Sequence, residues 1–229
     1  MKIALLTLLF ALSLFAQELE RVTLQLDWKF QFENAGFLMA QEKGFYKEAG
    51  LDVAILEYEG GEDVIDNVLN KKNNYGIYHS SIFIEDGKVK PIILLATYLQ
   101  QSPLIFVSHT LIKEPKEMIG KTIMGTSNEL KYSPLGLMLK HYNITKENST
   151  IQEHTFDINT FIDKKVDIMS AFTSNQLFEL DRRGVKYHIV KPIDFGFNMS
   201  ASNLFASKKE IEENPQRTKR FIEASNRGW

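Results

Sequence analysis

The residues with the most chemical capacity stand close together in DWKFQFEN, positions 27–34. Trp28, Phe30 and Phe32 alternate along this stretch, with Asp27 and Asn34 at its ends. An aromatic face stacked on a flat ring contributes about 0.5–1.5 kcal/mol beyond area burial. A few fixed polar groups then set the orientation of the bound molecule. The stretch follows a strand-like run and lies in a loop, where core burial is a less automatic use for aromatics. It therefore reads as one wall of a cleft for a small planar molecule. Trp28 and Phe32 would be the stacking groups, and Asp27 an acceptor for ring amines.

Other polar groups fall where strands are expected to end, the place where open α/β sheets bind ligands. These are Tyr78-His79-Ser80-Ser81, Gln100-Gln101-Ser102-Pro103, Thr126-Ser127-Asn128-Glu129 and the stretch 170–175. The set expected to line one cleft is Asp27, Trp28, Phe32, Asn34, Ser80, Ser81, Gln101, Ser102, Thr126, Asn128, Thr173 and Asn175, with Asn198 closing it. Plainer readings stand beside these. Ser127 or Asn128 is a good helix N-cap. Phe45 and Tyr46, just past a helix, are expected in the core, and His141 and His154 at the surface or in caps. For His79, a structural role and a ligand contact are equally open.

Catalytic signatures are missing from the chain: it has no G-x-S-x-G, G-x-G-x-x-G, Walker A or H-E-x-x-H. The five His are dispersed, and there is no Cys. Disulfides, thiolate metal sites, iron–sulfur clusters and a Cys nucleophile are thereby excluded. No cofactor and no metal are expected.

The chain has 229 residues, 44% hydrophobic and 24% charged, with a net charge of −2. That is an ordinary globular mix, and it offers nothing to nucleic acid or an anionic membrane surface. At the N-terminus, Lys2 precedes an apolar run over residues 3–15, and Ala16 precedes Gln17-Glu18. Residues 1–16 read as a cleavable export signal, with an uncleaved anchor as the alternative. The run is short of the roughly 20 residues a spanning helix needs. A periplasmic location is expected.

From Arg21 onward, strand-like and helix-like runs alternate. Strands are expected over 22–26, 51–58, 75–78, 91–98, 104–107, 122–124, 150–156, 166–170 and 187–190. Helices are expected over 35–43, 62–71, 130–142, 157–164, 175–183 and 208–227. The alternation predicts mainly parallel sheets with crossover helices. Two βα series follow each other without a linker. The expected fold class is therefore α/β in two lobes: residues 21–103 plus 196–229, and residues 104–195.

Several stretches together resemble one family: LQLDWKFQFENAGFLMAQEKGFYKEAGLDV, LLATYLQQSPLIFVS, EPKEMIGKTI, KKVDIMSAFTSN and ENPQRTKRFIEASNRGW. They resemble the thiamine-pyrimidine-synthase-like and alkanesulfonate-binding-like solute-binding proteins. The resemblance spans residues 21–229 and implies a two-lobed periplasmic-binding-protein fold of type II. Members of that family continue further, so the resemblance implies that this chain is truncated at its C-terminus. The family holds both binders and an enzyme. Its eukaryotic synthases use pyridoxal phosphate, a Lys just past a glycine of the third strand and a His four residues beyond it. With Gly76 as that glycine, those places hold Tyr78 and Ile82. The synthases also carry a cysteine-rich iron loop, and the matching stretch 195–200 here reads FGFNMS. The amine for a Schiff base and the thiolates for iron are missing. The resemblance thus implies a binder of a small heterocycle, best matched by a thiamine pyrimidine precursor. Implied partners are an ABC permease or a fused sensor histidine kinase or diguanylate cyclase. The alternatives are a thiamine pyrimidine synthase and a lobe pair that only mediates protein contacts.

Overall fold

A computed structural model describes residues 18–80 and 90–229. The leader reading of residues 1–16 and the candidate Ser81 lie outside these residues. Among the described residues no helix is long and apolar enough to cross a membrane.

Among the described residues, ten strands form two five-stranded sheets. The first sheet has the order β2 (Leu51–Leu56), β1 (Glu20–Gln25), β3 (Tyr75–Tyr78), β10 (Ala201–Ser207), β4 (Ile92–Leu99). The second has β7 (Thr150–Gln152), β6 (Thr122–Met124), β8 (Ile168–Phe172), β5 (Leu104–Ser108), β9 (His188–Val190). The chain leaves the first sheet between β4 and β5 and returns between β9 and β10. The two crossing segments are tied by a hydrogen bond from Ser102 N to Met199 O, 2.8 Å. Each sheet with its helices makes one lobe of a two-lobed α/β fold.

Both sheets are mixed rather than mainly parallel. β10 runs antiparallel to β3 and β4, and β5 antiparallel to β8 and β9. β5 and β10, which carry these antiparallel pairings, are the strands the chain enters from the crossings, where it changes lobe instead of passing through a helix. Strand position explains strand pattern. Edge strand β2 alternates, with Leu51, Val53 and Ile55 inward and Asp52, Ala54 and Leu56 outward, while interior strands β3, β5, β8 and β10 are buried throughout. A strand covered on both faces reads as a continuous apolar run.

Helices α1 (Ala35–Glu42), α2 (Phe45–Glu48) and α9 (Pro215–Gly228) pack on the first sheet. Along α9, Thr218, Phe221, Ala224 and Ser225 form the buried stripe. The Phe221 ring is stacked between Tyr75 at 4.2 Å and Tyr46 at 5.4 Å. The two phenols meet Thr218 and Ser225 hydroxyls at 3.1 and 3.0 Å, so no polar atom is stranded in this core.

Two expected single helices are each broken in two. The run over 130–142 divides into α4 (Ser127–Tyr132) and α5 (Pro134–His141). Pro134 supplies no N–H, and Ser133 turns extended to cap α5, its hydroxyl accepting from Leu135 N at 3.1 Å and donating to Glu129 O at 2.6 Å. The C-terminal run likewise divides at Asn214, the residue before Pro215, into α8 (Lys208–Glu213) and α9. Ser133→Ala is expected to lower stability by about 1 kcal/mol through the lost cap, read as a shift in the midpoint of chemical unfolding.

Candidate functional site

The ends of β1, β3, β6 and β8 face one another across the seam between the lobes. Trp28, three residues past β1, is anchored to the first lobe by its carbonyl, which accepts from Tyr58 N at 3.1 Å. Its ring belongs to the other lobe. It lies 5.4 Å from His154 edge-on, 5.3 Å from Phe156 and 5.5 Å from Phe172, and is 3% exposed. Core burial, set aside for a loop aromatic on sequence grounds, is therefore how Trp28 is held here: it bridges the two lobes.

Polar contacts cross beside it. Glu33 Oε2 accepts from Ser174 Oγ at 2.8 Å, and Asn128 Nδ2 donates to Glu62 O at 3.1 Å. With its amide turned to suit its neighbours, Gln31 donates to Glu33 Oε1 at 2.8 Å. It then accepts from Asn175 Nδ2 at 2.6 Å and Trp28 Nε1 at 3.2 Å. Glu129, on α4, caps its own helix by accepting from Thr126 N at 2.9 Å, and its Oε2 also accepts from Ser170 Oγ at 2.9 Å.

The ionisable groups of the seam are strongly perturbed. Burial, with the nearby Glu33 charge, pushes the Asp27 carboxyl up to about 7. Burial pulls His79 down to about 4. His79 Nε2 lies 3.8 Å from Asp27 Oδ2, so this pair holds one proton between about pH 4 and 7. The unfolded chain also holds one proton on these two groups over most of that range, so the pair gives stability little pH dependence there. Burial also lifts Glu129 to about 7, against the bonds from Thr126 and Ser170, and lowers His154 to about 4. His154 Nδ1 accepts from Phe156 N at 2.8 Å, which places the ring proton of the neutral form on Nε2.

Glu129 has a folded-state pKa above its unfolded value. Its contribution to stability is present at acid pH and is lost as pH rises from about 4.5 through 7. Glu129→Gln keeps the acceptor oxygen without the buried charge. The variant is expected to gain on the parent by about 2 kcal/mol between pH 5 and pH 8, measured by urea unfolding at both.

The sequence-derived candidates separate into groups. Asp27, Trp28, Asn34, Asn128 and Asn175 lie at the seam, Asn34 being 1% exposed. Thr126 is there as well, 1% exposed, but as the N-cap of α4 in a capping box with Glu129. Phe32 points outward at 76% exposure, so the stacking role read for it has no support in its position. Gln101, Ser102, Thr173 and Asn198 line a separate cavity of about 370 Å³ at the crossing segments, with Lys191 and Asp194. Ser80 is half-buried beside these segments, its N–H directed at Ser200 O, 3.3 Å. A second cavity, of about 310 Å³, opens at the seam between Gln31 of one lobe and His154, Phe156 and Asn175 of the other.

Gln31, Glu33, Glu129, His154 and Phe172 are seam residues that the sequence reading did not single out. His154, expected at the surface or in a cap, is buried because Trp28 covers it. His141 is exposed, and Tyr46 is core, as expected.

Fold and seam define a two-lobed protein with the periplasmic-binding-protein fold. Its structural neighbours agree. A Bordetella bronchiseptica protein superposes with TM-score 0.75 at 18% identity, over 92% of this chain and 71% of that one. The alkanesulfonate-binding protein SsuA from Xanthomonas axonopodis pv. citri, bound to MOPS, gives 0.67 at 9% identity, over 92% and 73%. The VFT2 domain of Bordetella pertussis BvgS gives 0.59 at 12%, over 91% and 93%. Residues 31–229 match the family described as NMT1/THI5 like, and the chain belongs to it.

Two curated relatives are each 23% identical. One is the riboflavin-binding protein RibY of Chloroflexus aurantiacus, matched over 92% of this chain and 62% of its own length. The other is the 4-amino-5-hydroxymethyl-2-methylpyrimidine phosphate synthase THI11 of Saccharomyces cerevisiae, matched over 90% and 65%. The chain thus spans just under two thirds of the length of these relatives.

Proposed function

We propose that this chain is an exported binder of a small planar heterocycle, held between the lobes, with a thiamine pyrimidine precursor as the leading ligand. It would deliver the solute to an ABC permease or report it to a fused sensor module. The observation that carries this reading is the seam itself, where Trp28 and a set of buried hydrogen-bonding groups from both lobes converge. Hinge opening, usual for two-lobed binders, would free the Trp28 ring and the acceptors around it for a solute. The relatives support a heterocycle: one is named for riboflavin, the other for a pyrimidine.

A synthase is disfavoured by chemistry. With Gly76 as the family glycine, as the resemblance implies, Tyr78 and Ile82 stand where the synthases have Lys and His, and the chain has no Cys. Incubation with pyridoxal phosphate followed by intact mass measurement should show no lysine adduct. The binding test is calorimetric titration with 4-amino-5-hydroxymethyl-2-methylpyrimidine and riboflavin. Saturable heat with at least one of them is expected. Flat titrations with no shift in melting temperature would remove the heterocycle reading.

A further inference from the structure

The seam has an unbalanced chemistry. Two carboxyls, Glu33 and Glu129, each lie within electrostatic reach of a third, Asp27. Glu33 and Glu129 are buried, and the Asp27 side chain is only 12% exposed. Among the described residues, no Lys or Arg is buried anywhere in the chain. The cations at the seam stay at its rim: Lys29, 37% exposed, is 3.9 Å from Glu57 and lies over the Phe156 ring, Lys131 lies over Tyr132, and Arg183, 38% exposed and paired with Glu179 at 2.6 Å, lines the 310 Å³ cavity. Other groups facing the carboxyls include Tyr58, Tyr78, His79, a fourth carboxyl, Glu153, beside Glu129, and, beyond Ser170, His154.

Hydrogen-bonding capacity is also left over. Glu129 Oε1, His79 Nδ1 and both ends of the Asn34 amide are buried and have no partner among the described residues. Such atoms cost about 1–3 kcal/mol each if they stay unpaired, and His79 stands directly against Asp27. An anion placed here would meet like charge and no buried cation. A ring bearing N–H or NH₂ groups would meet acceptors, with the Asn34 amide able to serve its ring nitrogen or carbonyl.

We propose that the seam selects an uncharged or cationic heterocycle by its N–H donors, with Asp27 and Glu129 as the accepting groups, and that it rejects sulfonates and other small anions. This rests on the reading that the seam is the solute site. It sets the chain apart in ligand charge from the SsuA proteins that share its fold.

The test titrates the purified chain at pH 7.5 with 4-amino-5-hydroxymethyl-2-methylpyrimidine, riboflavin, ethanesulfonate and MOPS. At least one of the two heterocycles is expected to bind 30-fold or more tightly than either sulfonate. Asp27→Asn and Glu129→Gln, each with a cooperative unfolding transition, should weaken that heterocycle at least tenfold and collapse its advantage over the sulfonates. A merely structural role would lower both affinities together and leave the ratio unchanged. Sulfonate binding equal to or tighter than heterocycle binding would overturn the selectivity while leaving solute binding intact. Binding of none of the four probes would overturn both.

Discussion

Trp28→Ala is expected to lower stability by about 3–5 kcal/mol and to weaken solute binding at least tenfold. The first figure follows from removing a fully buried aromatic side chain without refilling its space. What makes this Trp unusual is its address. Its backbone is held by Tyr58 in the first lobe, while its ring packs with Phe172, Phe156 and His154 of the second. The cavity left behind would lie on the seam, so the lobes would lose a shared contact as well as buried area. Urea unfolding of the variant reads the stability, and calorimetry reads the binding. A variant as stable as the parent would show that the ring contributes no cross-lobe packing.

The second large effect concerns the meeting of α1 and α9. A Cβ on Gly228 would lie 2.1 Å from Gly36 O and 2.8 Å from the Ala40 Cβ, and one on Gly36 would lie 2.2 Å from the Trp229 ring. Replacing Gly by Ala inside a helix ordinarily helps by about 1 kcal/mol. Here backbone stands in the way, and backbone cannot rotate aside as a side chain does. Gly228→Ala is expected to destabilise by about 3 kcal/mol, at the upper end of overpacking costs. Thermal unfolding with near-ultraviolet circular dichroism would also register the displaced Trp229, which stacks on Tyr98 at 4.8 Å. A rise in melting temperature would mean that the helices separate freely at this crossing.

Much of the architecture was legible because the alternation of short strands and helices constrains topology. The strands before Asp27, His79 and Thr126 were found, and so were the loops that follow them. Strand direction was not legible. Whether the chain turns back into a lobe or crosses out of it depends on segments such as 99–104 and 190–201, whose residues carry no directional signal. β10 was missed as a strand, since ASNLFAS mixes polar and apolar residues although all seven are buried. Ser202 and Asn203 are satisfied there by side-chain bonds to Glu33 O and Tyr78 O, which no local pattern announces.

The candidate site was legible where aromatic and polar residues crowd one strand end, as at Asp27 and Trp28. It was not legible where a buried charge looks like an ordinary helix surface. Glu129 fits the third position of a capping box equally well when exposed, and only the approach of Asp27 and Ser170 makes it part of a shared interior. His154 is hidden by a ring from a residue 126 positions earlier, a relation no short-range pattern contains. Phe32 misled for the opposite reason: it was grouped with Trp28 as a loop aromatic, but the segment turns into a 3₁₀-helix at Phe32–Asn34 and directs it outward.

The most direct test uses the protein's own chromophores. The chain has two Trp, so Trp229→Phe leaves Trp28 as the sole indole. Its emission is to be followed while a solute that calorimetry shows to bind is titrated in. A saturable change in Trp28 emission with the calorimetric dissociation constant is the predicted result. Full binding by calorimetry with unaltered Trp28 emission would place the solute away from the seam and contradict the assignment.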